Sequence, residues 1–432
     1  MNTRLKIAVA LIFSVLTLAA LAVPWYSSRT LSAQVKALAS QPRQGAWQLH
    51  KVAHQAGLFA SSGTAELQFR PRCTTGADEA PMVLALAYRM SHVPTRNGLG
   101  EFTWTLSPST ASSADALAGF KGLSAKGVMG YDGTVSNDMV LPEWVRSDGA
   151  QEVKIAASKA QLRLEGKTVT LHWAVDDIAF QAKDDALNLH GTRLSLALDD
   201  WQRAPGSVVL EVDDARTGAV TLHKLKLRYT LREVAQRWNY QQGVTVDNLQ
   251  WMGRTLSGVA LQGEVTGLHA PSAQTLSTLL SETCAFVDAS PEQMASARQA
   301  VKTLLTTGFS IGIPSLKARD ADASVNAQLL LELLPASAGE VALAQQLQSS
   351  GEIVVTGGML TPEQAQLALQ SGYVQEVPGG LKLGYRYAAG ALTVGGQSRD
   401  ASMVPLALTR LDSLVNAALA SSSEATPLQP IP

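Results

Sequence analysis

Cysteine is nearly missing: Cys73 and Cys284 are the only two among 432 residues. That excludes a disulfide-stapled scaffold and a cysteine-rich zinc site. Two outcomes stay open, a pair of free thiols or one bridge worth ~3 to 5 kcal/mol in an oxidising compartment. An excess of either charge is missing as well. Lysine plus arginine (35) nearly cancels aspartate plus glutamate (36), so nothing draws the chain toward a nucleic-acid backbone, and a nucleic-acid partner is set aside. There is no G-x-x-x-x-G-K-[ST] loop and no dinucleotide fingerprint, so no cofactor is implied. Charged residues are few, 16% against 46% hydrophobic, which gives enough apolar surface to offset the ordering entropy of a folded core. A chain this long exceeds the usual limit of one core, so two lobes or one elongated sheet are expected.

What is present begins with one long uncharged run, Ile7 to Val23 (IAVALIFSVLTLAALAV). Its length lies at the lower edge of what crosses a bilayer core. Arg4 and Lys6 precede it and Pro24, Trp25 and Tyr26 come after it, a basic flank and an interfacial aromatic flank. Residues 1–24 therefore read as a transmembrane anchor. The alternative is a cleaved secretory signal ending at the small-x-small pattern Ala20-Leu21-Ala22. Both readings export the body.

Leu31, Val35 and Leu38 recur at helical spacing, giving a stalk helix and linker over 25–45. The period then changes to two. Phe102, Trp104 and Leu106 alternate with polar residues, as do Leu194, Leu196 and Leu198. Leu225, Leu227, Tyr229 and Leu231 alternate with Lys226, Arg228, Thr230 and Arg232 in the clearest strand of the chain. Short turns such as Tyr131-Asp132-Gly133 separate such runs, which implies antiparallel meanders over a β-rich lobe, 46–269. Residues 270–420 read as a mixed α/β lobe. Ser290-Pro291-Glu292-Gln293 and Thr361-Pro362-Glu363-Gln364 are capping boxes that predict helices near 291–306 and 362–371. Further helical periodicity covers Leu343 to Leu347 and Leu406 to Leu419, with strands at Phe309–Ile313, Val325–Leu331 and Leu381–Val394. The Ser- and Pro-rich 421–432 reads as a disordered tail. No fixed-period repeat stands out. The fold class expected is thus α+β: an N-terminal transmembrane helix, then a large, mainly antiparallel β-meander body with helices concentrated in the C-terminal third.

Several stretches carry a resemblance. They are the anchor ending in Trp25-Tyr26; His54-Gln55-Ala56-Gly57-Leu58-Phe59 with Ser61 and Ser62; Gly130-Tyr131-Asp132-Gly133; and Tyr387-Ala388-Ala389-Gly390 through Gly395-Gly396. Taken in order they resemble the bacterial YdgA-like family, inner-membrane-anchored periplasmic proteins of unknown function. The chain is shorter than better-known members before residue 290, and Cys73 and Cys284 map onto no family pattern. The resemblance implies an uncleaved anchor and a periplasmic body, marks Gly57, Phe59, Tyr131, Gly133, Tyr387, Gly390 and Gly396 as motif positions, and carries over no catalytic residue.

Gly308-Phe309-Ser310-Ile311-Gly312 spells G-x-S-x-G, but a capped helix precedes it and an extended segment comes after it, the reverse of a nucleophile elbow. All seven histidines lie before Ser310. His50 and His54 have a zinc-ligand spacing, with Lys51 where a glutamate would be needed and no third ligand. The acidic pairs Asp176-Asp177, Asp184-Asp185, Asp199-Asp200 and Asp213-Asp214 suggest calcium loops or paired catalytic carboxylates, but neighbours on a strand point to opposite faces and do not converge on one ion; each pair lies at the edge of an apolar run and reads as turn residues. What emerges is a non-enzymatic, single-pass inner-membrane protein with a periplasmic body and a structural, binding or envelope-homeostasis role. Its expected partners are membrane lipid and a periplasmic protein or a second copy. The alternatives are a lipid or lipoprotein carrier using an apolar sheet groove and, remotely, a serine hydrolase at Ser310.

Overall fold

The computed structural model describes Ala33 and residues 47–69, 82–109, 120–149, 151–183, 185–200, 205–283, 289–321, 323–337 and 339–420. The Ile7–Val23 run, Cys73, Cys284, Asp184, the 421–432 tail and all of the expected stalk helix except Ala33 lie outside them. Two compact units divide the chain, one up to Ala204 and one from Pro205.

In the first unit the strands are β1 (Trp47–Gln55), β2 (Ala60–Phe69), β3 (Met82–Ser91), β4 (Gly100–Pro108), β5 (Leu123–Met129), β6 (Val135–Leu141), β7 (Trp144–Asp148), β8 (Gln151–Ile155), β9 (Ser158–Glu165), β10 (Thr168–Gln181) and β11 (Ala186–Leu198). They pair antiparallel from β1 through β6, then β6 with β9, β9 with β10 and β10 with β11. The β7–β8 hairpin docks on the far end of β10. Aromatic rings fill the gaps that small residues leave. Phe102 faces Gly127 and Tyr88 faces Gly63 in register, and a Cβ at either glycine would run into the ring. Gly63 lies within β2, where the Tyr88 ring covers it. In one row Trp104, Ala125, Met139, Ala160 and Trp173 succeed each other across five strands. The two indole N–H groups donate to Asn137 and Ser158.

The second unit is also a meander: β12 (Gly206–Thr217), β13 (Val220–Val234), β14 (Arg237–Trp251), β15 (Arg254–His269), β16 (Phe309–Asp320), β17 (Ala323–Leu333), β18 (Leu347–Thr356), β19 (Val374–Val377), β20 (Gly380–Ala388), β21 (Ala391–Val394) and β22 (Gln397–Arg399). Spatial order matches sequence order to β18, which pairs with β20; β19 and β21 share the other edge of β20, and β22 pairs with β21. Four of the hairpins close on two-residue turns with both residues left-handed: Ala235-Gln236 (φ 50° and 58°), Met252-Gly253 (49° and 78°), Ala389-Gly390 (49° and 79°) and Gly395-Gly396 (58° and 77°). That geometry matches the twist of the flanking strands.

The α+β expectation is overturned. The described chain is mainly a large antiparallel β structure, and even from residue 270 onward seven strands accompany five α-helices and one short 3-10 turn. Both capping boxes form, opening Pro291–Thr307 and Pro362–Gln370. Strong caps made the helices conspicuous in the sequence, but the two-residue alternation of the segments between them builds the sheet. Nor does a described N-terminal helix lead into the body. Among the described residues the helix long and apolar enough to cross a membrane is Met403–Ala420, at the other end of the chain. The helices sit beside the strands: Ala270–Glu282 packs on Pro291–Thr307 and β15, and Leu343–Gln346 packs on Met403–Ala420 and β17. Arg237 ties this end together, donating to the carbonyls of Gly267 (2.5 Å), Gly308 (3.3 Å) and Thr307 (3.4 Å).

One irregularity recurs. In β11, β13 and β15 a left-handed residue interrupts the strand: Gly191 (φ 64°), Lys224 (53°) and Gly258 (57°). Each lies opposite an aspartate, Asp176 for Gly191, Asp213 and Asp247 for Lys224, and Asp247 for Gly258. There the apolar alternation slips by one, from Val220 and Leu222 to Leu225 and Leu227 in β13, for example. A left-handed residue bends the strand and re-aims the side chains beyond it, so the slip keeps apolar side chains on one face. Burial agrees: Val175, Thr192, Val212, Ala215 and Val246 beside these positions are each at most 5% exposed. The sequence around them repeats as Val175-Asp176-Asp177, Val212-Asp213-Asp214 and Val246-Asp247-Asn248, each answered in the next strand by Leu189-His190-Gly191, Leu222-His223-Lys224 and Leu256-Ser257-Gly258.

Candidate functional site

The motif positions resolve mostly into architecture. Gly57 permits the β1–β2 connection, since a Cβ there would meet the Ala60 carbonyl. Gly133 (φ 81°) belongs to the Gly130–Thr134 turn, where the Asp132 carboxylate accepts from the Thr134 N–H (3.0 Å) and hydroxyl (2.8 Å). These bonds, the backbone one foremost, hold Asp132 below the usual carboxylate range. Exposed Tyr131 ties that turn to the Thr95 carbonyl at 2.7 Å. Gly390 and Gly396 occupy the hairpin turns already described, Phe59 is exposed, and Tyr387 is buried with its hydroxyl unpartnered.

The His54 to Ser62 stretch does more. Ser61 and His92, both buried, join Oγ to Nε2 at 2.7 Å, and His54 Nδ1 lies 2.6 Å from the Tyr88 hydroxyl. Burial, then the charge of His54, hold His92 below its ordinary value of 6.5, and burial raises Tyr88. His92 is therefore a neutral imidazole at pH 7. A serine beside a neutral histidine is a nucleophile–base pairing in form, but His92 is 0% exposed and its Nδ1 has no orienting partner. As it stands the pair fastens β2 to the end of β3, alongside the His92 N–H to Phe59 carbonyl bond of 2.8 Å.

The other sequence candidates do not converge. Ser310 lies in β16, and its hydroxyl is 2.5 Å from that of Thr266 on β15. His50 and His54 share β1, but left-handed Lys51 (φ 48°) lies between them, and the partner of His54 is Tyr88. No group of three His, Cys, Asp or Glu among the described residues is placed to hold a metal. The turn reading of Asp176-Asp177 and Asp213-Asp214 is corrected: both pairs lie inside strands, at the creases, where Asp177 meets His190 (2.9 Å) and Asp214 meets His223 (2.5 Å). The adjacency of an Asp pair to an apolar run had suggested a strand end; the repeated Leu-His-Gly and Leu-His-Lys triplets were the signal of a crease.

Two surfaces of the second unit remain, one on each face of β16–β20. On one, Ile311 faces Leu331, Ile313 faces Leu329, and Leu316 faces Ala327, which faces Ile353. Ile311, Leu316, Leu329, Leu331 and Ile353 are each between 36% and 44% exposed, and among the described residues of the unit no second sheet lies over them. On the other face a cleft of about 570 Å³ is lined by Glu264, Gln328, Ser350, Glu352, Lys382 and Arg386. Its size is that of a small-molecule site, and one charge pair in it is already satisfied, Lys382 with Glu352 at 2.7 Å.

No curated protein and no solved structure matches this chain. Residues 1–356 match the family described as bacterial protein of unknown function (DUF945), and the chain belongs to that family.

Proposed function

We propose that the chain is a non-catalytic binding protein of the bacterial cell envelope, working at the inner membrane with its body in the periplasm. The uncharged Ile7–Val23 run with its basic flank supports export, and the YdgA-like resemblance is compatible with it. The observation that carries the binding role is the half-exposed row Ile311, Leu316, Leu329, Leu331 and Ile353. A contiguous apolar patch of this kind marks a contact surface. It takes a periplasmic protein or a second copy.

A second reading, a lipid or lipoprotein carrier, is favoured by the length of the same row along the strands. The row covers three strands and runs from Ile311 to Leu316 along β16, about 17 Å at the usual rise per residue, room for part of an acyl chain lying along the strands. Native mass spectrometry of the detergent-extracted protein separates the two. Phospholipid retained at defined stoichiometry assigns the carrier role, whereas a lipid-free dimer or hetero-complex assigns the protein partner. If lipid is retained equally by a chain carrying Leu329→Asn and Leu331→Asn, this face is not the site. Ser310→Ala is expected to leave any esterase background unchanged, and a loss would revive the hydrolase reading.

A further inference from the structure

We propose that the outward stripe of the C-terminal helix, Met403–Ala420, rests on the surface of an anionic lipid membrane. At 3.6 residues per turn, Met403, Val404, Ala407, Leu411, Leu414 and Ala418 fall within an arc of about 100°. Met403 is 72% and Leu414 68% exposed, and Leu406 and Leu411 are exposed beside them. The opposite side of the helix is occupied. Asp412 accepts from the backbone N–H groups of Leu343 (2.5 Å) and Ala344 (3.5 Å), and the Asn416 amide donates to the Val341 carbonyl (2.8 Å).

This division chooses the occupant. The helix carries two charges, Arg410 and Asp412. The acid is turned inward and used up by the body, while Arg410 borders the apolar stripe. An apolar arc flanked by a cation and free of acid complements a surface of acyl chains and anionic headgroups. Spanning the bilayer, which length and composition alone would permit, would strip Asp412 and Asn416 of their partners and immerse both. The helix lies beyond residue 356, where the family match ends.

The test uses the full chain co-reconstituted from detergent into phosphatidylethanolamine–phosphatidylglycerol vesicles, so that no outcome depends on spontaneous binding. Leu414→Trp is compared with Thr409→Trp, on the flank away from the stripe, using acyl-brominated lipid as quencher and subtracting the parent's eight tryptophans. The expected result is a blue shift and quenching at the L414W position, little at T409W, and weaker quenching when phosphatidylcholine replaces phosphatidylglycerol. Equal quenching at both positions overturns the proposal in favour of an immersed helix. No quenching at L414W overturns it too, and L414C cross-linking between copies would then assign the stripe to a second copy. Circular dichroism of each variant confirms that the body is folded.

Discussion

Ser61 and His92 show how little a chemically suggestive pair decides without its surroundings. Both are buried, Ser61 Oγ is bonded to His92 Nε2, and neither is open to a substrate. Ser61→Ala should cost about 1–3 kcal/mol, the penalty for leaving a buried imidazole nitrogen unpaired, read as a lower denaturant midpoint. Because burial lowers the pKa of His92, the unfolded chain binds a proton below pH 6.5 that the folded chain declines. Its contribution is therefore complete above 6.5, shrinks as pH falls toward the lowered folded value, and levels off below it. Urea unfolding monitored from about pH 8 to pH 5 should show a shallower fall in His92→Leu than in the parent; equal slopes would refute the assignment. Ser61 stands in a motif stretch of the sequence, but nothing local points to its meeting with His92, since 31 residues separate them and only the β2–β3 register brings them together. The same holds for Phe102 over Gly127, where Gly127→Val should cost about 1–3 kcal/mol by overpacking, visible as a lowered Tm.

At the scale of elements, local chemistry was legible wherever local chemistry decides. Ser290 and Thr361 cap their helices as their spacing demands, because a capping box closes within four residues. Removing the Ser290 hydroxyl with alanine should cost about 1 kcal/mol. The creases escaped, because their signature is divided between neighbouring strands, an aspartate in one and Leu-His-Gly, Leu-His-Lys or Leu-Ser-Gly in the next. Lys224 sits at the one crease of the three where a residue with a Cβ takes the left-handed conformation. Lys224→Gly should relieve up to about 1 kcal/mol, whereas Gly258→Val should cost about 1–2 kcal/mol or more for the reverse reason. Thermal unfolding checks both, and a stabilising valine at 258 would mean that the left-handed residue is incidental.

For the molecule as a whole, the open apolar face is the property on which a role in binding depends. Leu329→Thr with Leu331→Thr should lower detergent or lipid retention while changing stability little, because these side chains are already about two-fifths exposed; a cooperative loss of fold would show instead that the face is covered in solution. The sequence by itself determined that strands fill the middle of the chain and where two helices are capped, since period-two alternation and capping hydroxyls act over a few residues; the single strand it suggests over Leu381–Val394 is instead a hairpin that turns at Ala389-Gly390. It also ruled out a cysteine-built zinc site or scaffold. Only the tertiary structure decided that strands prevail beyond residue 270, that Ser61 meets His92, that the aspartate pairs mark creases and not turns, and that Leu329 and Leu331 remain half in water. Those outcomes depend on register between strands and on what else packs over a face, and a side-chain alternation reads the same whether its apolar side is covered or bare.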